Sequence, residues 1–472
     1  MTSTAESIIA LLPQSRPGIR ISRDLIIGTV LGLTLTLSSA GLALWLSRPR
    51  WWVQGWEKDS SVAAFEEPVG RDEKSPIEIR SNDVVHGVLG LIGNTPLIRI
   101  KSLSDALGVE ILGKAEFLNP GGSVKDRVAL KIIEDAEEAG LLVPHTGCKI
   151  FEGTVGSTGI SIATVGRAKG YDCCIIMPDD VAIEKVNILQ TLGAEVVRVR
   201  PASIVDEKQF VNLARARALE FGHERVPVGA APFTEQEGQA ATDGDDVVAT
   251  IAENSGSSDE KGFRPRGFFA DQFENSSNFE AHYRGTGPEI WKQTRGNVDA
   301  FVSGAGTGGS LSGTATYLKR MNPGIRVVLA DPEGSGLYNR VRYGVMFDVK
   351  EKEGRKRRHQ VDTVVEGIGI NRLTHNFMLG QHLIDDAYRV TDAEAVAMSR
   401  HLNNEDGLFL GSSSACNLVT SVRLSKKLPK GSTIVTILCD AGTRHQSKFW
   451  SDDYLQKNGI PISADISALL KG

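Results

Sequence analysis

A chain of 472 residues is long enough to bury a large core and to form more than one domain. Its net charge of −5, with 24% charged residues, lacks the basic excess that nucleic-acid binding needs, so no nucleic-acid partner is expected. The cysteines Cys148, Cys173, Cys174, Cys416 and Cys439 are odd in number and lack metal-ligand spacing; they read as reduced core thiols, which excludes a disulfide scaffold and gives no metal site.

Residues 1–24 form a polar N-terminal tail with Arg16, Arg20 and Arg23 near its end. Leu25 to Leu46 then carries no charged side chain. A run of about 22 residues at about 1.5 Å each can span a hydrocarbon core of about 30 Å. Arg48, Arg50, Trp51, Trp52 and Trp56 follow, types favoured at a membrane interface. The expectation is a single transmembrane helix over 25–46, the competing readings being a cleaved signal peptide or a buried core helix. Residues 47–84, with the charge clusters Glu57-Lys58-Asp59 and Arg71-Asp72-Glu73-Lys74, read as a linker.

From Val84 onward short β-rich runs alternate with helical patterns. The runs are Glu110–Ala115, Cys148–Phe151, Cys173–Met177, Glu195–Val199, Ala300–Val302, Arg326–Ala330 and Thr433–Leu438. Such alternation predicts an α/β domain, placed at 85–456, with a largely parallel sheet covered on both faces and ligands at the carboxyl ends of its strands. A stretch at about 222–266, acidic in its middle, reads as a surface insertion, and 457–472 as a C-terminal tail.

Three stretches carry candidate chemistry. Asn119-Pro120-Gly121-Gly122-Ser123-Val124-Lys125-Asp126-Arg127 is turn chemistry followed by helical spacing, which delivers Lys125 to a helix start. There it is either a solvated lysine or an amine kept neutral by the helix dipole and partial burial, as a Schiff-base lysine requires. Phe151-Glu152-Gly153 ends a strand, and Thr154-Val155-Gly156-Ser157-Thr158-Gly159 leads into a helix whose first N–H groups can hold an anion; a plain strand–helix turn has the same pattern. Ser303-Gly304-Ala305-Gly306-Thr307-Gly308-Gly309-Ser310 matches a dinucleotide fingerprint, with Asp331 about 22 residues on, and equally suits a monophosphate cup.

The lysine stretch, together with Leu91-Ile92-Gly93-Asn94-Thr95-Pro96-Leu97, resembles the pyridoxal-phosphate lysine loop and opening motif of the cysteine synthase/cystathionine β-synthase family. The resemblance runs from His86 to Trp450. It implies the fold-type-II architecture, similar to the tryptophan synthase β chain: two three-layer αβα subdomains with mostly parallel sheets. It implies that Lys125 carries pyridoxal 5′-phosphate and that Gly306, Thr307, Gly308, Gly309 and Ser310 hold the phosphate. Thr154, Gly156 and Thr158 would grip the substrate α-carboxylate, with Gln272 of Gln272-Phe273-Glu274-Asn275 contacting it. Gly367-Ile368-Gly369 resembles the family's later glycine turn. Ser413, within Gly411-Ser412-Ser413-Ser414, would hydrogen-bond the pyridine nitrogen, which favours β-elimination and replacement.

Two positions depart from the family pattern: Ser157 stands where asparagine usually contacts the cofactor's 3′-oxygen, and Ser276-Ser277 where Pro-Ala is usual. The implied reaction joins O-acetyl-L-serine and sulfide to give L-cysteine and acetate. Cystathionine β-synthase or serine/threonine dehydratase activity is the alternative within the class, and a membrane-tethered protein without turnover the alternative outside it. The family also implies a homodimer. Its membrane-tethered mitochondrial branch implies single-pass anchoring in the outer mitochondrial membrane.

Overall fold

Ten strands and the helices between them form in the computed structural model, which describes residues 84–222, 265–348 and 363–471. The chain divides into two units, Met1–Pro76 and Ile77–Gly472, and every described residue belongs to the second.

The strands build two sheets. Six of them, β1 (Leu97–Arg99), β2 (Glu110–Ala115), β7 (Ala300–Gly304), β8 (Arg326–Pro332), β9 (Asp386–Val390) and β10 (Thr433–Leu438), lie in the order β1-β2-β10-β7-β8-β9. All pairings in this sheet are parallel except β1 with β2. The other four, β3 (Lys149–Gly153), β4 (Asp172–Pro178), β5 (Glu195–Val199) and β6 (Gly267–Phe269), form an all-parallel sheet in the order β5-β4-β3-β6.

Period-two alternation sorts side chains onto opposite faces of each sheet. In the six-stranded sheet Ala300, Val302, Val328, Ala330 and Ile434 pack into one core, while Phe301, Val327, Leu329, Val435 and Ile437 pack into another. The four-stranded sheet divides likewise, with Ile150, Cys173, Ile175 and Phe268 on one face and Phe151, Cys174, Ile176 and Phe269 on the other. Both faces of both sheets are therefore covered, as the β-rich runs predict. All five cysteines are free, and only Cys439 is not fully buried.

The helix Lys125–Glu138 belongs to both halves. Val124, just before it, packs with the six-stranded sheet's core, and Val128, Ile132 and Ile133 pack into the four-stranded sheet's core. A lysine at that helix start sits where the halves meet.

The localisation expectation is corrected here. Among the described residues no helix is long and apolar enough to cross a membrane. The longest, Asp392–Asp406, has 15 residues, about 22 Å at about 1.5 Å per residue against a core of about 30 Å. Single-pass anchoring in the outer mitochondrial membrane thus finds no helix among the described residues to support it. The run Leu25–Leu46 expected to span the membrane lies outside the described residues, as does the insertion expected at 222–266 apart from its edges.

Candidate active site

The carboxyl ends of β2, β10 and β7 lie side by side in the larger sheet. The loops that follow them face a cavity of about 730 Å³. The loop after β2 is the lysine loop. Gly122 N donates to Asn119 O at 2.7 Å, closing the turn around Pro120 and Gly121. The Asn119 side chain ties the turn to the opening motif: Gly93 N donates to its Oδ1 at 2.8 Å, and its Nδ2 donates to Glu116 Oε2 at 2.8 Å. A Cβ at Gly121 would come within 2.4 Å of Asp126 Oδ1, and Gly122 has φ +80°, so both glycines are needed.

The three charged residues of the motif then part company. Asp126 turns inward, accepting from Gly121 N and Ser161 Oγ, each at 2.5 Å, and burial pushes its carboxyl up to about 6. Arg127 is buried in a fork on Glu116 (2.8 and 2.9 Å) and Glu289 (2.6 and 2.7 Å), and Lys114 closes the network on Glu289 at 2.6 Å. Removing one member would leave an uncompensated buried charge, so the network fixes the loop rigidly. Only Lys125 of the three faces the cavity, and burial lowers its amine below the ordinary lysine range, with Cys439 and Asp440 opposing. Lys125 is half-buried against the cavity, the setting that the second reading of it requires.

The turn after β7 has the form of an anion cup. Gly304 ends the strand and Gly309 begins the helix Gly309–Met321. Gly308 has φ +87°, and a Cβ there would fall 2.5 Å from the Phe377 backbone; a Cβ at Gly306 would fall 2.5 Å from Gly367 O. Gly309 does not line the cavity but packs against Asn278, where a Cβ would meet Oδ1 at 2.1 Å. Thr307 Oγ1 accepts from Asn278 Nδ2 at 2.9 Å, and its carbonyl accepts from Thr374 Oγ1 at 2.7 Å. Ser310 Oγ lies 2.9 Å from His282 Nε2, whose Nδ1 lies 2.9 Å from Thr286 Oγ1. Burial, with Lys125 and Arg127 adding to it, holds His282 well below its ordinary value, so the ring is neutral. Asp331, which would hold a ribose in a dinucleotide site, is fully buried and accepts from Tyr338 N at 2.7 Å. It faces the interior and does not line the cavity.

Across the cavity, β3 leads into the turn Gly153–Gly156 and the helix Ser157–Lys169. Thr154, Ser157 and Thr158 line the cavity. Gly156, φ +128°, stands behind the wall against Lys185, whose Cδ would lie 2.5 Å from a Cβ. Gln272 is brought beside this turn because β6 pairs with β3, and Thr158 Oγ1 donates to its Oε1 at 2.5 Å. Ser413 lines the wall at the start of the helix Ser412–Ser425. Its hydroxyl hydrogen-bonds the Cys439 thiol, which burial pushes up to about 11. The Gly367–Gly369 turn packs on the phosphate turn, with Gly369 N donating to Ala305 O at 2.8 Å.

Sequence reasoning did not single out the charged rim. Glu366, Lys185, His445, Asp440 and Lys448 all line the cavity. Lys185 forms an ion pair with Glu366, Lys448 approaches Glu366 at 3.4 Å, and His445 Nε2 lies 3.0 Å from Asp440 Oδ2. Burial pushes Glu366 upward, but Lys185, His445 and Lys448 outweigh it and hold the carboxyl at about 2. The signal available was that Cys439–His445 follows an apolar strand, the position where ligand-facing loops begin.

A model of the pyridoxal-phosphate dependent enzyme family matches residues 88–440. The chain belongs to that family. It is 58% identical over 369 residues to "Cysteine synthase 2" of Emericella nidulans, spanning 78% of this chain and 80% of that protein. It is 51% identical over 367 residues to "Putative mitochondrial cysteine synthase" of Saccharomyces cerevisiae, spanning 78% and 84%. Among solved structures it resembles O-ureido-L-serine synthase, with a TM-score of 0.60 at 27% identity over 79% of this chain and all of the other.

The residues present fit the family's cofactor. The Lys125 amine, lowered by burial, faces the cavity, the start of a helix behind a glycine turn supplies N–H groups suited to a monophosphate, and the Ser413 hydroxyl lines the same cavity. Pyridoxal 5′-phosphate is the cofactor.

Proposed function

We propose that this protein is a pyridoxal-phosphate-dependent cysteine synthase, converting O-acetyl-L-serine and sulfide to L-cysteine and acetate. The observation that carries the reading is Lys125, an amine at a helix start whose pKa burial lowers, facing a cavity between two glycine turns. The names of the Emericella and Saccharomyces relatives support the same reaction.

When bound, pyridoxal 5′-phosphate supplies an electron sink that makes the substrate's Cα proton acidic and its β-substituent able to leave. Lys125 would hold the cofactor and then serve as the base that takes that proton, a role that the lowering of its amine by burial favours. Thr154, Gly156 and Thr158 hold the α-carboxylate at the helix start, with Gln272 beside them, which aligns Cα with Lys125. Gly306, Thr307, Gly308 and Ser310 would hold the phosphate, with Gly309 packed behind them on Asn278. Ser413 would offer the ring nitrogen a neutral donor rather than a charge, and Ser157 would take the position that contacts the 3′-oxygen.

Residues 85–456 form the catalytic domain in this reading, and the protein acts as a homodimer, as the family resemblance implies. The test supplies purified, cofactor-loaded protein with O-acetyl-L-serine, L-serine and L-threonine in parallel, each with sulfide or homocysteine. L-Cysteine and acetate in equal amounts from O-acetyl-L-serine and sulfide are expected. Cystathionine or a 2-oxo acid as the main product would overturn the assignment. Sedimentation of the same sample checks the dimer.

A further inference from the structure

Behind the carboxylate turn lies a buried chain of hydrogen bonds to which the mechanism above gives no part. β3 and β6 are neighbours, so Glu152, near the end of β3, meets Gln272, just beyond β6, inside the protein. Glu152 is 0% exposed and Gln272 4%. Gln272 Nε2 donates to Glu152 Oε1 at 3.1 Å and reaches Gly153 O at 3.5 Å, while its Oε1 accepts from Thr158 Oγ1 at 2.5 Å.

The direction of this chain follows from chemistry. The Gly153 carbonyl can only accept, which puts the amide nitrogen at the Glu152 end and the amide oxygen at Thr158. A hydroxyl has one proton, and that of Thr158 is then committed to Gln272. Without Glu152 the amide would lose its main acceptor and could turn over, and the Thr158 hydroxyl would turn with it.

We propose that Glu152 is a positioning residue for the amino-acid carboxylate: it fixes the Gln272 amide, and through it the Thr158 hydroxyl, before the substrate arrives. The proposal rests on the reading of Thr154–Thr158 as the carboxylate turn. Thr158 then offers the substrate its backbone N–H, its hydroxyl being held by Gln272. The charge state of Glu152 suits this role. Burial, with the Asp271 carboxyl adding to it and hydrogen bonds from the Gln272 amide and the Gln272 and Asp271 backbone opposing, holds the acid well above the ordinary carboxylate range. A carboxylate there would repel the arriving substrate anion across a low-dielectric gap; a protonated acid does not.

The test titrates L-alanine, which has no leaving group, into the cofactor-loaded protein by calorimetry, and measures KM and kcat for O-acetyl-L-serine. Glu152→Ala should weaken L-alanine binding and raise KM about 10- to 100-fold, with kcat changed less than about threefold. Glu152→Gln keeps a neutral acceptor and should stay within about threefold of wild type in both. Wild-type L-alanine affinity in the alanine variant would overturn the proposal, and so would a glutamine variant as weak as the alanine one.

Should the alanine variant not fold, a pH series on Glu152→Gln decides. Between roughly pH 6 and 9 its L-alanine affinity should track wild type if Glu152 keeps its proton. A titration step seen in wild type and lost in the variant would overturn the proposal. The other charged groups around Glu152 are Asp271 with its partner Arg215 at 3.1 Å, Glu274 on the same turn, and Lys185 beside Gly156. They are common to both proteins and cancel in the comparison. Failure of wild type to form L-cysteine would overturn the reaction assigned above; the ratio of L-alanine affinities reports on Glu152 separately.

Discussion

The turns after β3 and β7 have the same local build: a buried parallel strand, a glycine-rich turn and a helix that begins facing the cavity. Their surroundings differ. The glycines after β7 are packed against backbone, Gly306 on Gly367 and Gly308 on Phe377, which cannot give way. In the turn after β3, Gly153 is packed on the Val211 backbone just as closely, but Val155 is 39% exposed and Gly156 rests on the Lys185 side chain rather than on backbone. A rigid cup suits a phosphate that stays, and a yielding one suits a carboxylate that enters and leaves with every turnover. The buried ionisable groups behind the two turns also differ. His282, behind the phosphate turn, is neutral because burial strips its proton; Glu152, behind the carboxylate turn, is neutral because burial keeps one.

The largest effect comes from removing what both turns serve. Lys125→Ala should abolish the covalent cofactor's absorbance and lower turnover by at least about 10³-fold. A spectrum identical to wild type would show that another amine holds the cofactor.

Alanine at one glycine of each turn breaks the comparison directly. Gly308→Ala forces a left-handed alanine, costing about 1–2 kcal/mol, against backbone that cannot move. Cofactor affinity, measured by absorbance titration, should fall about 10- to 100-fold. Gly156→Ala is strained as well, at φ +128°, but its nearest new contact is the Lys185 side chain rather than backbone. It should raise the KM for O-acetyl-L-serine about 10-fold while cofactor affinity stays within about threefold. Equal cofactor loss in the two variants would show that the turns do not divide the work.

The backing groups separate on the pH axis. Burial lowers His282, so between its native value and about 6.5 the folded protein holds fewer protons than the unfolded chain. Stability therefore rises with pH through that window and is lost as pH falls. Asp126, pushed up to about 6, acts in the opposite sense, holding more protons in the folded state. The difference between wild type and His282→Gln isolates the histidine. In cofactor-free protein the Tm of wild type should fall faster than that of the variant as pH drops below about 6.5, by about 2–4 °C for each kcal/mol. Parallel Tm curves would show that His282 does not titrate on unfolding.

Much of this arrangement is legible in the chain itself, for identifiable reasons. β2, β5 and β10 match their predicted bounds because each is an apolar or β-branched run long enough to show its pattern. β1 and β6 have three residues each, too few for any period, and β9 carries Asp386 and Arg389, whose charges are neutralised by Arg342 and Asp348 from distant segments. The lysine loop and both glycine turns are local motifs, and the structure sets them around one cavity. The charged rim is not local. Lys185 and Glu366 are 181 residues apart, and no spacing rule joins them; only the meeting of the two sheets does. Glu152 stood within a stretch already singled out, but its partner Gln272 is 120 residues on, so its role waited on the pairing of β3 with β6.

The smallest expected effect lies at Ser157, where the carboxylate turn departs from its family pattern. Ser157 is the first residue of its helix and half-exposed toward the cavity. Neither of these features depends on its own side chain, so a larger residue is accommodated without repacking. Asparagine at that position reaches further and adds an amide donor that serine lacks. Ser157→Asn should therefore leave the fold and phosphate affinity unchanged, shift the cofactor's absorbance, and change kcat by less than about fivefold. A loss of cofactor binding would mean that the helix start tolerates only a small side chain. The carboxylate turn would then be as rigid as the phosphate turn, and the contrast between them would fall.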